Sequence, residues 1–180
     1  MESSGIDAYS AEELTTVQAE VANYALNYET NSDISAVNIS LNLESETSIY
    51  VYLTPTSGYT GKVNCAEGYT VEKVGNRYRV TIPNIMAHQL GDTYTLHLTT
   101  SSGSVVVSVS ALSYANSIFN STSMNEVDRC FAAALYNYYV KAAAQLNKIN
   151  FHPAGERSAP SGGVFPVIYD SYNRRMRGCR

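Results

Sequence analysis

Across residues 37–43 every odd position is apolar (Val37, Ile39, Leu41, Leu43) and every even one polar (Asn38, Ser40, Asn42). Only an extended backbone with one buried face gives a side-chain period of two, so this stretch reads as a half-buried β-strand. Residues 48–53 repeat the alternation. Ile49, Val51 and Leu53 then point inward, and Tyr50 and Tyr52 share the opposite face. Pro55, Ser57, Gly58 and Gly61 mark a loop. Thr70–Val74 and Arg77–Ile82 flank Gly75-Asn76, a two-residue link whose positive φ angles suit a hairpin. Pro83 stops the second of these strands, and residues 84–90 read as one short helical turn. Residues 94–98 and 105–109 follow as strands on either side of a Ser101-Ser102-Gly103 turn.

At both flanks the spacing changes to three and four. Ser10-Ala11-Glu12-Glu13 is a capping box, with serine at N-cap and Glu at N3. Leu14, Val17, Val21, Tyr24 and Tyr28 continue it as one apolar stripe, predicting a helix that ends near Thr30-Asn31-Ser32. Residues 111–119 form a short helix. Ser123-Met124-Asn125-Glu126 offers a second capping box, and Val127, Cys130, Phe131, Ala134, Leu135, Tyr138, Tyr139 and Ala142 give the apolar face of a long helix reaching about Asn147. The order is helix, six or seven strands, two helices, which predicts an α+β fold. The expected architecture is an antiparallel immunoglobulin-like β-sandwich flanked by an N-terminal helix and a C-terminal helix pair. The corresponding segments are 1–31 (N-terminal helix), 32–110 (sandwich), 111–150 (helical pair packed on the same domain) and 151–180, a Pro/Gly/Arg-containing tail expected to be loosely ordered.

Composition narrows the function classes. Charged residues make up 16% of the 180, against about 25% in an average soluble domain; Ser, Thr, Asn and 15 Tyr fill the gap, with no Trp. Residues 1–150 hold 14 acids and seven Lys or Arg, whereas residues 151–180 hold two acids and five Arg. The acidic body lacks the basic face that nucleic-acid binding requires. Cys65, Cys130 and Cys179 are widely spaced and odd in number, which argues against a zinc site or a disulfide framework. Cys130 reads as a buried small hydrophobe, with a Cys65–Cys130 bridge as the alternative left open. The opening residues MESSGIDAYS have neither a basic start nor an apolar run; taken alone this predicts a soluble, cytosolic chain, the alternative being an export signal on a part of the protein outside it. No apolar stretch approaches the roughly 20 residues of a transmembrane helix.

Residue types that carry chemistry are sparse. His97 alternates between Leu96 and Leu98 and so faces the polar side; His88 lies in the short turn and His152 beside Pro153. The chain has no HExxH, GxSxG, GxGxxG or P-loop pattern, and neither a metal nor a cofactor is expected. Glu44 and Glu46 invite comparison with a glycosidase carboxylate pair, but a hairpin turn has nothing to bury them as a general acid requires. Asn38-Ile39-Ser40 and Asn120-Ser121-Thr122 are read as coincidental sequons. The ligand-binding candidates are Tyr50 and Tyr52, about 7 Å apart on one strand face and able to stack on sugar rings; packing is the competing account. Arg174, Arg175, Arg177 and Arg180 are read as a solvated cluster.

The run Val109-Ser110-Ala111-Leu112-Ser113-Tyr114-Ala115-Asn116-Ser117-Ile118, the later Ala134-Leu135-Tyr136-Asn137-Tyr138 and Ala142-Ala143-Ala144, and the strand closing on Ile82-Pro83-Asn84-Ile85 together carry a resemblance. They resemble an uncharacterised module found in large secreted or surface proteins of gut Firmicutes, often beside leucine-rich or immunoglobulin-like repeats. The resemblance spans roughly residues 20–147. Ala22-Asn23-Tyr24-Ala25-Leu26-Asn27-Tyr28 is similar to the end of that module's last helix, which implies a first helix closing a preceding unit. The resemblance implies an extracellular or cell-surface setting and supplies no catalytic residues. The expected function is a non-catalytic structural, spacer or adhesion module of a larger bacterial surface protein. Its expected partners are neighbouring domains of the same polypeptide, a glycan or a cell-surface protein. A carbohydrate-binding module is the alternative, and an enzyme the reading ranked last.

Overall fold

The structure, a computed structural model, describes residues 9–150; the expectations for residues 151–180, including His152, Cys179 and the Arg cluster, lie outside these. Among these residues the fold is α+β, with two antiparallel sheets and three helices. Helix α1 (Ala11–Val21) precedes strands β1 (Asn27–Glu29), β2 (Ile34–Asn42), β3 (Ser48–Pro55), β4 (Asn64–Cys65), β5 (Thr70–Val74), β6 (Arg77–Ile82), β7 (Tyr94–Thr100) and β8 (Gly103–Val109). Helices α2 (Ala111–Asn120) and α3 (Glu126–Asn150) follow, and a 3-10 turn (Ala87–Gln89) interrupts the strands. The described residues divide into two compact units: residues 24–86 with 90–114, and residues 9–23, 87–89 and 115–150.

The first unit holds both sheets, in the orders β2-β3-β6-β5 and β1-β8-β7-β4. Each strand's alternation decides its buried face. Ile49, Val51 and Leu53 on β3, Val80 and Ile82 on β6, Leu96 and Leu98 on β7, and Val105, Val107 and Val109 on β8 are all almost wholly buried. The predicted hairpin forms, with Gly75 at φ 62° between β5 and β6.

Two short strands depart from the expectation. The helical spacing predicted to run to about Thr30-Asn31-Ser32 stops at Val21, and Asn27, Tyr28 and Glu29 pair with Ser108, Val107 and Val106 of β8. The residues similar to a closing helix thus form a turn and the start of a strand. The physical reason lies just downstream. Asn31 Nδ2 donates to Thr100 Oγ1 (2.8 Å) and to the Gly103 carbonyl (3.0 Å). The Asp33 carboxylate accepts from the Ser102 N–H (2.8 Å), the Ser102 hydroxyl (2.7 Å) and the Ser101 hydroxyl (3.1 Å). These bonds clamp the β1–β2 crossover onto the β7–β8 turn, and hydrogen bonds to a charged group outweigh the tenths of a kcal/mol of local helix preference.

In the second unit α1 begins with the predicted capping box. The Glu13 N–H donates to Ser10 Oγ (3.2 Å), and the Ser10 N–H to the Glu13 carboxylate (2.8 Å). The cap of α3 is Asn125 rather than the expected Ser123. Asn125 Oδ1 accepts the Asp128 N–H and the Asp128 carboxylate accepts the Asn125 N–H, both at 3.0 Å, a reciprocal pair of the same logic. Ser123 shares a hydrogen bond with Ser121. Asn137 donates to the Tyr9 hydroxyl (3.1 Å) and Tyr136 to Glu20 (3.3 Å), joining α3 to α1 and the residues before it. Cys130 is buried as expected, and neither Cys65 nor Cys130 is disulfide-bonded, so the bridge left open is not formed.

Leu53→Ala is expected to lower the unfolding free energy by about 2–5 kcal/mol, since Leu53 is wholly buried in a central strand. Thr99→Ala, on the exposed face of β7, is expected to stay within about 0.5 kcal/mol of wild type. Urea unfolding followed by circular dichroism compares the two, and equal losses would contradict the face assignment.

Candidate functional site

The outer face of the β2-β3-β6-β5 sheet is built from rows that run across its strands. Asn38, Tyr52, Arg79 and Glu72 stand directly opposite one another in register, one from each strand; Ser40, Tyr50, Thr81 and Thr70 form the next row. The alternation that sends Val51 and Leu53 inward therefore sends both candidate tyrosines to this face.

Neither ring is a free platform. Tyr50 and Tyr52 are half-buried and meet edge to face, with centroids 6.4 Å apart and an interplanar angle of 76°. Each ring face is covered by an arginine one diagonal step away on β6. The Arg79 guanidinium lies 4.6 Å from the Tyr50 centroid and that of Arg77 4.5 Å from the Tyr52 centroid, distances at which the ring quadrupole attracts a cation. Arg79 also pairs with Glu72 at 2.7 Å, and the Tyr50 hydroxyl accepts from Asn42 Nδ2 at 3.1 Å. Arg79 Nε is buried without a hydrogen-bond partner. Beside Tyr50 the face dips into a shallow depression of about 370 Å³, lined by Tyr50, Tyr69, Glu72 and Arg79 among others. Tyr52 does not line it. Tyr50 and Tyr69 both line this hollow, while Tyr52, in edge-to-face contact with Tyr50, lies under Arg77.

A second polar cluster lies at the edge of the other sheet. His97 faces outward from β7, as its alternation predicts, with its side chain mostly exposed. Its Nδ1 lies 2.6 Å from Glu67 Oε1, and its backbone N–H donates to the same carboxylate at 3.0 Å. Cys65 Sγ donates to Glu67 Oε2 at 3.3 Å. Strand β4 is two residues long, so Glu67 continues its pairing with β7 by means of a side chain: it accepts the His97 N–H that a longer strand would have bonded. The bond to His97 holds the Glu67 carboxyl down to about 2. Burial, and then the neighbouring Glu67 carboxylate, push the Cys65 thiol up, which favours the protonated and weakly nucleophilic form.

The remaining candidates stay apart from these clusters. Glu44 and Glu46 are exposed in the β2–β3 turn, and His88 lies in the 3-10 turn. Among the described residues no group of three or more His, Cys, Asp or Glu is placed to hold a metal ion, and no helix is long and apolar enough to cross a membrane. Sequence reasoning missed Glu67, because its partner is 30 residues away and no periodicity links them. It also missed Arg77 and Arg79, whose signal was available: an Arg-x-Arg alternation in a strand that pairs with Tyr-x-Tyr. Comparison with protein-family models, curated proteins and solved structures finds no match to the chain.

Glu67 titrates lower in the folded chain than the 4.5 of a free carboxyl. Its ionised form therefore stabilises the fold fully above pH 4.5, and this contribution is lost as pH falls toward about 2. Glu67→Gln is expected to melt at a lower temperature near neutrality and to show a flatter dependence of Tm on pH across that window. Thermal melts of both proteins measure this, and parallel curves would contradict it.

Proposed function

We propose that this chain is a non-catalytic structural, spacer or adhesion module of a larger extracellular bacterial surface protein. The observation that carries the reading is the closure of the Tyr50/Tyr52 face upon itself. Both rings are stacked under guanidinium groups, Arg79 is neutralised by Glu72, and the Tyr50 hydroxyl is satisfied by Asn42. A face whose rings lie under guanidinium groups and whose Arg79 is paired with Glu72 gives an ordered outer surface at low charge, as a load-carrying or positioning module requires. The hydroxyl- and amide-rich composition and the resemblance to modules of secreted Firmicutes proteins support the extracellular setting.

The architecture is read as an immunoglobulin-like sandwich with one added strand. Leaving out β1, the orders β2-β3-β6-β5 and β8-β7-β4 are the A-B-E-D and G-F-C orders of a seven-stranded constant-type domain. Each sheet buries one face within the same compact unit, which further supports this reading; β1 is then an extra strand alongside G.

A carbohydrate-binding module is the second reading. It is favoured by one observation: the depression beside Tyr50 brings a second tyrosine, a carboxylate and a guanidinium together at one surface. An aromatic ring with a few fixed polar groups is what a sugar ring requires. A glycan array probed with the full chain separates the two. The first reading expects no saturable binding at this hollow; saturable binding abolished by Tyr69→Ala would replace it with the second.

A further inference from the structure

A sheet edge presents unpaired N–H and C=O groups, and proteins blunt such edges with short strands, charges or bulges. Among the described residues, three of the four sheet edges are blunted. In the β1-β8-β7-β4 sheet the edge strands have three and two residues. In the other sheet the β5 edge carries Glu72 and Lys73. The fourth edge, β2, is different. It runs nine residues, Ile34–Asn42, with no charged residue, proline or glycine, and pairs with β3 on one side while no described strand lies on the other. A bulge between Ile34 and Ala36 irregularises only its start, leaving residues 36–42 in unbroken register with β3.

The side chains along this edge give a second observation. Val37 points inward and is buried, whereas Ile39 and Leu41, on the same face, are only half-buried. Their partners on β3, Val51 and Ile49, are wholly buried. The apolar stripe is therefore left partly uncovered on the edge strand itself, and one more strand would cover it.

We propose that the β2 edge is a self-association surface, at which two copies of this chain pair β2 with β2 antiparallel about a two-fold axis and join their sheets into one of eight strands. Strand pairing about a two-fold keeps inward residues facing inward. With the axis at Ile39, all seven regular residues pair: Val37 meets Leu41 of the second copy, Ile39 meets Ile39, Asn38 meets Ser40 and Ala36 meets Asn42. The half-buried stripe is covered by its own counterpart and the outer face pairs amide with hydroxyl. Self-pairing usually sets like charges opposite one another, which destabilises a sheet; an uncharged strand avoids this, and so a second copy fits this edge while the Glu72- and Lys73-bearing edge does not invite one.

Sedimentation of the full chain at concentrations up to about 1 mM is expected to show a monomer–dimer equilibrium, with the larger species at twice the 19.6 kDa chain mass. The double variant Asn38→Lys with Ser40→Lys, both on the outer face, is expected to keep the wild-type melting temperature within a few degrees. It should weaken the dimer at least roughly tenfold by placing lysines opposite one another. An equimolar mixture with Asn38→Glu, Ser40→Glu should restore pairing, a recovery that loss of folding could not produce. A wild-type chain that stays monomeric throughout overturns the proposal, including the case in which the edge accepts a strand from some other polypeptide. So does a dimer that the lysine variant leaves unchanged.

Discussion

The body of this protein depends on a two-residue rhythm that puts one side of each strand out of water. Ile49, Val51 and Leu53, with Val80 and Ile82 beside them, and Leu96, Leu98, Val105, Val107 and Val109 in the other sheet, are the residues that rhythm buries. At about 25 cal/mol per Å² of apolar area, each contributes on the order of 1.5–3 kcal/mol relative to exposure. A shift of one residue in these strands would exchange most of these for Tyr, Arg, Thr, His and Ser. Register is therefore set by burial, and every feature of the outer surface follows from it, because the intervening residues have no other face to occupy.

That outer surface is organised by neutral polar groups and by cations placed over aromatic rings. Tyr50 and Tyr52 each support an arginine from β6, and the Arg79–Glu72 pair lies in the same cross-strand row. Exposed ion pairs of this kind contribute little individually. Their effect here is to fix side-chain positions across three strands, so that a sparsely charged chain presents an ordered face. The edges obey a related logic. Where the strands are short, polar side chains finish the hydrogen bonding: Glu67 takes the His97 N–H beyond β4, and Asp33 takes the Ser102 N–H at the β7–β8 turn.

Much of this was legible in the sequence because it is local and periodic. The alternation in β2, β3, β6, β7 and β8, the Gly75-Asn76 hairpin, the Ser10 capping box and the long helix α3 all follow from spacing alone. What was not legible depends on residues far apart in the chain. Strands β1 and β4 are too short to show a period, and each exists because a partner strand and a side chain hold it: Asn31 and Asp33 after β1, Glu67 after β4. Tyr24 and Tyr28 keep helical spacing with Val17 and Val21, yet the chain turns away at Ala22. The Ser123 cap was displaced by Asn125, two residues nearer the helix, because Asp128 could reciprocate. At the candidate site the sequence identified the tyrosines but not their cover, since the Tyr–Arg stacking requires the β3–β6 register as well as the composition of each strand.

The most direct test of alternating burial as the basis of the fold is amide hydrogen exchange resolved residue by residue. The slowest amides are predicted in the central strands β3, β6, β7 and β8, with protection falling toward β1, β4 and the β2–β3 turn. A pattern in which α3 alone is strongly protected, while the central strands exchange as fast as the loops, would contradict the account.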